Sequence, residues 1–185
     1  EVLYQVADLS SVWVVADAGK TRSAGADSAF YTRSNSAITG RIGSVAVDAD
    51  DTVWLGGEGA LYRVRGDAWT VFSQTTVTGD FPAGLIAGIA VADDGTLWLG
   101  SEDAEVCRFD PDQERCADWY AGDTGMAQGP LTGFGLDADR VLYTTAGNGY
   151  AVLDNGRWRT VTDPTSFLLG SRVKALASDE AGNLW

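Results

Sequence analysis

The sequence predicts an all-β chain, a β-propeller of four-stranded antiparallel blades, on three observations. Aromatic residues recur at a near-constant interval: Trp13, Trp54, Trp98, Tyr143 and Trp185 stand 41, 44, 45 and 42 residues apart, the kind of period that marks a repeat architecture. Between them apolar residues alternate with period two, as strands require and helices do not. Turn-forming sequences separate the alternating runs: Asp94-Gly95 and Asn155-Gly156 supply positive φ, and Asp110-Pro111-Asp112 presets a tight turn.

The elements follow in order. Residues 1–185 read as one propeller segment with blades at about 1–35, 36–78, 79–123, 124–165 and a partial fifth at 166–185. The first blade is the least regular, because its third strand, around 21–26, lacks an apolar-aromatic signature. In the second blade strands are expected near 44–47, 52–56, 60–65 and 68–73. The third offers 88–92, 96–100, 105–110 and 116–120, and the fourth 133–137, 141–145, 150–154 and 157–161. The short first strands (SVAV, GIAVA, GFGLD, KALAS) are rich in Gly and Ala, as expected of strands that converge on an axis. Six residues before each repeat aromatic stands Ala7, Asp48, Ala92, Asp137 or Asp179, so the spacing holds where the identity varies.

A single blade cannot bury both of its faces, so each sheet needs neighbours stacked around a common centre. That requirement explains Trp13, Trp54, Trp98, Tyr143 and Trp185 as structural packing residues rather than a ligand platform. Burying one Trp removes roughly 150–250 Å² from water, worth about 4–6 kcal/mol at ~25 cal/mol/Å². Trp69, Trp119 and Trp158 fall on fourth strands, where they seal the outer edge or meet a partner.

Composition narrows the function. The chain carries 26 acidic and 13 basic residues, a net charge of -13, and such a surface repels nucleic acid. It has no histidine, which removes the commonest general base and metal ligand together. No apolar run reaches the ~20 residues of a membrane helix. The Asp-rich turns at Asp48–Asp51 and Asp93-Asp94-Gly95 lack the twelve-residue calcium loop and read as turns. Ala18-Gly19-Lys20-Thr21 lacks the first glycine and following helix of a phosphate loop. No cofactor and no metal are expected.

Cys107 and Cys116 are expected to pair. Folding the segment about Pro111-Asp112 sets Asp110 against Gln113 and places the two cysteines directly opposite, about 4.5–5.5 Å apart at Cα, within disulfide range. The alternative is two buried free thiols. A disulfide would imply an oxidising compartment.

The blocks SNSAITGRIGSVAVDADDTVWLGGEGALYRV and GLIAGIAVADDGTLWLGSEDAEVCRFD resemble the two-component regulator propeller repeat, with its short apolar strand, Asp-x-x-Gly-type turn, apolar-Trp pair and glycine turn. SRVKALASDEAGNLW resembles the first half of the same repeat. Tyr143 departs from the usual Trp and Asp139-Arg140 from the Asp-x-Gly turn. The resemblance implies an incomplete part of a larger, seven-bladed ring. It also implies an extracytoplasmic (periplasmic, secreted or cell-surface) sensory input region.

Binding is expected on the face built by the fourth-to-first-strand connections, 34–43, 74–87, 121–132 and 163–172, and the second-to-third-strand turns. The residues picked out there are Arg41, Glu58, Phe81, Glu102, Asp103, Met126, Asn148, Phe167 and Arg172. The expected partner is a protein or a small or carbohydrate ligand. The reading is a non-catalytic binding propeller. Two alternatives stand beside it, a scaffold subunit of a larger assembly and a carboxylate-dependent lyase or glycoside-acting enzyme.

Overall fold

The computed structural model describes residues 2–7, 12–16, 19–24, 27–31, 34–122, 125–126, 129–137, 140–145 and 150–161. Asn148, Phe167, Arg172 and Trp185, and the whole of the expected partial fifth blade, lie outside the described residues.

Blade 1 holds β1 (Val2–Ala7), β2 (Val12–Ala16), β3 (Gly19–Ala24) and β4 (Asp27–Tyr31). Blade 2 holds β5 (Ile42–Val47), β6 (Val53–Gly57), β7 (Ala60–Arg65) and β8 (Ala68–Ser73). Blade 3 holds β9 (Ile86–Val91), β10 (Leu97–Ser101), β11 (Glu105–Asp110) and β12 (Arg115–Ala121). Blade 4 holds β13 (Leu131–Asp137), β14 (Arg140–Thr145), β15 (Tyr150–Asp154) and β16 (Arg157–Val161). Each sheet has four strands in chain order, all neighbours antiparallel, and no helix occurs among the described residues. Strand β5 packs on β1, β9 on β5 and β13 on β9. The first strands therefore share a centre from which the sheets fan: this is a propeller segment.

The repeat aromatics occupy one register position. Trp13, Trp54, Trp98 and Tyr143 sit on second strands opposite Val6, Ala46, Ala90 and Phe134 of the first strands.

The first strands of blades 2, 3 and 4 begin two residues earlier than alternation alone would place them, and one cause recurs in all four blades. A register shift near the start of each first strand leaves Leu3, Gly43, Ala87 and Thr132 with no opposite number. Two residues opposing one is a β-bulge, which breaks strict alternation and hides the strand's beginning from a period-two reading. The bulge lets Ile42, Ile86 and Leu131, all buried, reach the core ahead of the small residues that follow.

Three cores alternate with the sheets. Leu55, Tyr62 and Val64 of blade 2 pack toward blade 1, with Tyr31 and Trp69 against them. Trp54, Leu61 and Phe72 on the other face of blade 2 meet Leu97, Leu99, Cys107 and Phe109 of blade 3. Val106 of blade 3 meets Leu131, Val141, Ala151, Leu153 and Trp158 of blade 4. Near the centre the approach is close. The Ser44 hydroxyl donates to the Ile86 carbonyl at 2.8 Å across blades 2 and 3. A Cβ at Gly100 would come within 2.7 Å of the Phe134 ring, and one at Gly88 would overlap the Phe134 Cβ. Glycine in blade 3 thus makes the space that a blade 4 phenylalanine fills.

Cys107 and Cys116 are joined by a disulfide, with Cα atoms 5.7 Å apart. The expected register is corrected. Asp110 pairs with Arg115, not Gln113, so the connection has four residues, and Cys107 lies opposite Trp119 while Cys116 lies opposite Phe109. The Asp110 carboxylate explains the longer turn, accepting from the amides of Asp112 and Gln113 at 2.9 and 3.0 Å, and Glu114 closes it at φ 51°. Ala117 is bulged out of the pairing, so the cysteines meet diagonally rather than face to face.

Candidate binding surfaces

The blades present two opposite rims. The first carries the second-to-third-strand turns and the fourth-to-first-strand connections, where binding was expected. Arg41, Glu58, Glu102 and Asp103 all stand on this rim. The Arg41 guanidinium donates to Glu102 at 3.4 Å, with the two side chains 64% and 41% exposed. An exposed pair of this kind contributes at most about 1 kcal/mol. Glu58 is exposed and packs beside Gly40, and Asp103 is exposed beside Gly84.

Residues 83–85 hold these groups in place by crossing between blades. The Gly59 amide donates to the Gly84 carbonyl at 3.0 Å, and the Glu102 amide donates to the Leu85 carbonyl at 2.9 Å. The Ala83 amide donates to Glu105 Oε2 at 3.1 Å, and the buried Ser101 hydroxyl donates to the same oxygen at 3.2 Å. The blade 2 and blade 3 turns are thus tied by backbone rather than by mobile side chains.

Two residues expected on this surface are not there. Phe81 is 2% exposed and packs edge-on against Phe109, ring centroids 6.1 Å apart. Met126 is 5% exposed, in the core with Val106 and Trp158. Both serve as plugs under the connections, because an apolar side chain there gains more from the seam between sheets than from water. A loop position does not reveal which way the side chain turns.

The second rim carries the first-to-second and third-to-fourth-strand turns, and two grooves open on it between blades. The groove between blades 2 and 3 has a volume of about 660 Å³ and is lined by Trp54, Arg63 and Arg65 on one side and by Asp93 and Asp112 on the other. The groove between blades 3 and 4, about 490 Å³, is lined by Trp98, Arg108 and Leu136. Arg63 and Arg108 are equivalent, each opposite the repeat Trp of its own blade. Their surroundings differ. Arg108 donates to Asp94 in a short charge-assisted contact, lies 4.0 Å from Asp118, and donates from Nε to the Thr96 hydroxyl at 3.2 Å. In blade 2 the equivalent threonine bond is made by Arg65, whose Nε donates to Thr52 at 3.0 Å. Thr70 stands opposite Arg63 where Asp118 stands opposite Arg108. Arg63 consequently lies over two rings, 5.2 Å from the Phe72 centroid and 5.9 Å from that of Trp54.

The carboxylates divide in the same way. Asp48 accepts from the Trp54 indole at 2.9 Å and from the amides of Asp50 and Thr52. The Thr96 hydroxyl and amide, together with Arg108, hold the Asp94 carboxyl below the usual carboxylate range. No group of three or more metal-ligating side chains gathers among the described residues. Arg63, Arg65 and the acidic turns were not singled out as site residues from the sequence. The available signal was an arginine opposite each of Trp13, Trp54 and Trp98, namely Arg22, Arg63 and Arg108.

The chain is similar in fold to solved extracellular domains of bacterial signalling proteins. It superposes on the extracellular domain of a hybrid two component system from B. thetaiotaomicron with a TM-score of 0.76 at 15% identity, covering 100% of this chain and 26% of that one. A second structure, from the same organism and titled as a one component system, gives 0.74 at 14% identity with the same coverage. The WD40 beta propeller domain of Doa1 gives 0.74 at 12% identity, covering 97% of this chain and 58% of that one. The chain therefore spans about a quarter of the length of the extracellular domains it resembles. No family model matches the chain, and no curated protein matches it by sequence. Likeness at these identities establishes the propeller fold.

Proposed function

We propose that this chain is a non-catalytic binding propeller that works outside the cytoplasm as the sensory input region of a signalling protein. The observation that carries this reading is the superposition, along the whole chain, on the extracellular domain of a two component system. The Cys107–Cys116 disulfide supports the compartment, since such bonds persist in oxidising surroundings and are rare in a reducing cytosol. On this reading the docking surface is the first rim, where Arg41, Glu58, Glu102 and Asp103 are held on turns tied across blades 2 and 3. It receives a protein or a small ligand.

Location and sensing are tested separately. Cells expressing the full chain are acid-quenched, alkylated and mapped without reduction. Cys107 and Cys116 are expected to be linked, and recovery of both as alkylated thiols would reverse the location. For sensing, Glu58→Arg with Glu102→Arg is placed in the full-length protein and the transcriptional output of the host is compared with wild type. A changed response is expected, and identical profiles would remove the sensory role.

A further inference from the structure

The groove between blades 2 and 3 contains opposite charges that do not meet. Arg63 and Arg65 line it with six aspartates, of which Asp48, Asp94 and Asp110 are held by hydrogen bonds and, among the described residues, Asp50, Asp93 and Asp112 are not. Among the described residues neither arginine forms an ion pair. Among the described residues the polar side-chain contacts of this pair are the weak Arg63–Thr70 bond at 3.4 Å and the Arg65–Thr52 bond. Asp50, Asp93 and Asp112 are exposed, and their carboxylates accept no hydrogen bond among the described residues. Arg115, Arg157 and Arg159 likewise form no ion pair among the described residues, so what sets Arg63 apart is its place in a groove and over two aromatic rings. In the neighbouring groove the equivalent arginine, Arg108, is neutralised by Asp94 and Asp118.

The local chemistry explains how Arg63 is kept available. Thr70 stands where Asp118 does in blade 3, Asp50 at the Asp94 position forms no pair with Arg63, Arg65 takes over the threonine bond, and the Phe72 and Trp54 rings support the guanidinium through its π-face. Its planar edge, with donors in a fork that suits a carboxylate, is left for the groove. The volume of about 660 Å³ falls within the range of small-molecule sites.

We propose that this groove binds a small zwitterion, a molecule with a carboxylate and an ammonium a few ångströms apart, such as a free amino acid or a dipeptide. The carboxylate lies on Arg63 and Arg65, and the ammonium lies toward Asp93, Asp112 and Asp50. A ligand with only negative charge is repelled by the six aspartates, and one with only positive charge leaves the donor fork of Arg63 without an acceptor, so the dipolar class satisfies both sides. The site is on the opposite rim from the proposed docking surface and does not depend on it.

Saturation-transfer NMR on the full chain tests the assignment, with the twenty free L-amino acids and diglycine as probes. Propionate and propylammonium carry the single charges. At least one zwitterion is expected to show saturable binding, and both single-charge probes at least tenfold weaker binding. Arg63→Gln and the double variant Asp93→Asn with Asp112→Asn are each expected to weaken the zwitterion at least tenfold, while Arg108→Gln in the other groove leaves it unchanged. Thermal melts establish that each variant is folded, and the aspartate pair, being exposed, decides the matter if Arg63→Gln is not. Absence of binding by every zwitterion overturns the proposal, as does equal binding of propionate or of propylammonium, or binding that survives loss of the arginine or of the aspartates.

Discussion

Between blades 2 and 3 the repeat tryptophan, Trp54, is 1% exposed and its indole donates to Asp48. Between blades 3 and 4 its counterpart Trp98 is only partly buried, stacked on Tyr120 with ring centroids 6.4 Å apart. The turns that precede the two residues have the same backbone bonds, Asp48 N to Thr52 O at 3.0 Å and Ala92 N to Thr96 O at 2.9 Å. Of the turn positions that differ, the one that reaches the indole is Asp48, and its counterpart Ala92 has no carboxylate to offer. Down the same wall the equivalent arginines differ as well: Arg108 pairs with Asp94 and lies near Asp118, whereas Asp50, at the Asp94 position, forms no pair with Arg63, which stands opposite Thr70. A repeat can thus keep its backbone and its large apolar anchor while neighbouring positions set how tightly each seam closes.

The contrast can be broken most forcefully at the tryptophans. In urea unfolding of the full chain, Trp54→Ala is expected to cost about 3–5 kcal/mol, as for other fully buried aromatics. Trp98→Ala should cost about half as much, because part of that ring already meets water. Equal losses would mean the two seams are energetically alike. Replacing both cysteines by alanine should cost roughly 2–3 kcal/mol by loop entropy, with most of the change read locally in amide exchange of β11 and β12. Asp48→Ala leaves the buried Trp54 indole without its acceptor, at about 1–3 kcal/mol. The reciprocal change sharpens the comparison. Ala92→Asp should raise stability by about 0.5–1.5 kcal/mol and blue-shift Trp98 fluorescence, and no gain would show that the acceptor is not what separates the seams.

The smallest effect concerns acid. The Asp94 carboxyl is held below its ordinary range first by Thr96 and then by Arg108. A lowered folded-state value gives stability that is full above the unfolded aspartate value, ~3.9, and fades as pH falls through the folded value. The stability gap between wild type and Asp94→Asn should therefore be constant near neutrality and narrow below about pH 4. A gap that widened on acidification would contradict the assignment.

Much of this architecture was legible because it rests on period and burial. Trp54 and Trp98 pack into seams between sheets, and the spacing of such aromatics counted the blades. The bulges were not legible, since an extra residue at Leu3, Gly43, Ala87 or Thr132 looks like a lapse in alternation. The cysteine pairing was found from a register that proved wrong. The bond itself holds, made on a diagonal between Cys107 and Cys116 with their Cα atoms 5.7 Å apart. Phe81 and Met126 misled because sequence shows that a loop is apolar and not where it points. The free arginine was hidden further still. It depends on whether a turn carboxylate reaches the guanidinium, as Asp94 reaches Arg108 and Asp50 does not reach Arg63, and the sequence has an aspartate at both positions.

The repeated bulge also bears on how such a chain enlarges. Because each module carries the same offset at its own beginning, a tandem copy inherited by gene duplication arrives with the fitting that seats it against the preceding one. Growth by whole cassettes then leaves the existing joints untouched, whereas gain or loss of a single residue before a first strand would throw one joint out of step.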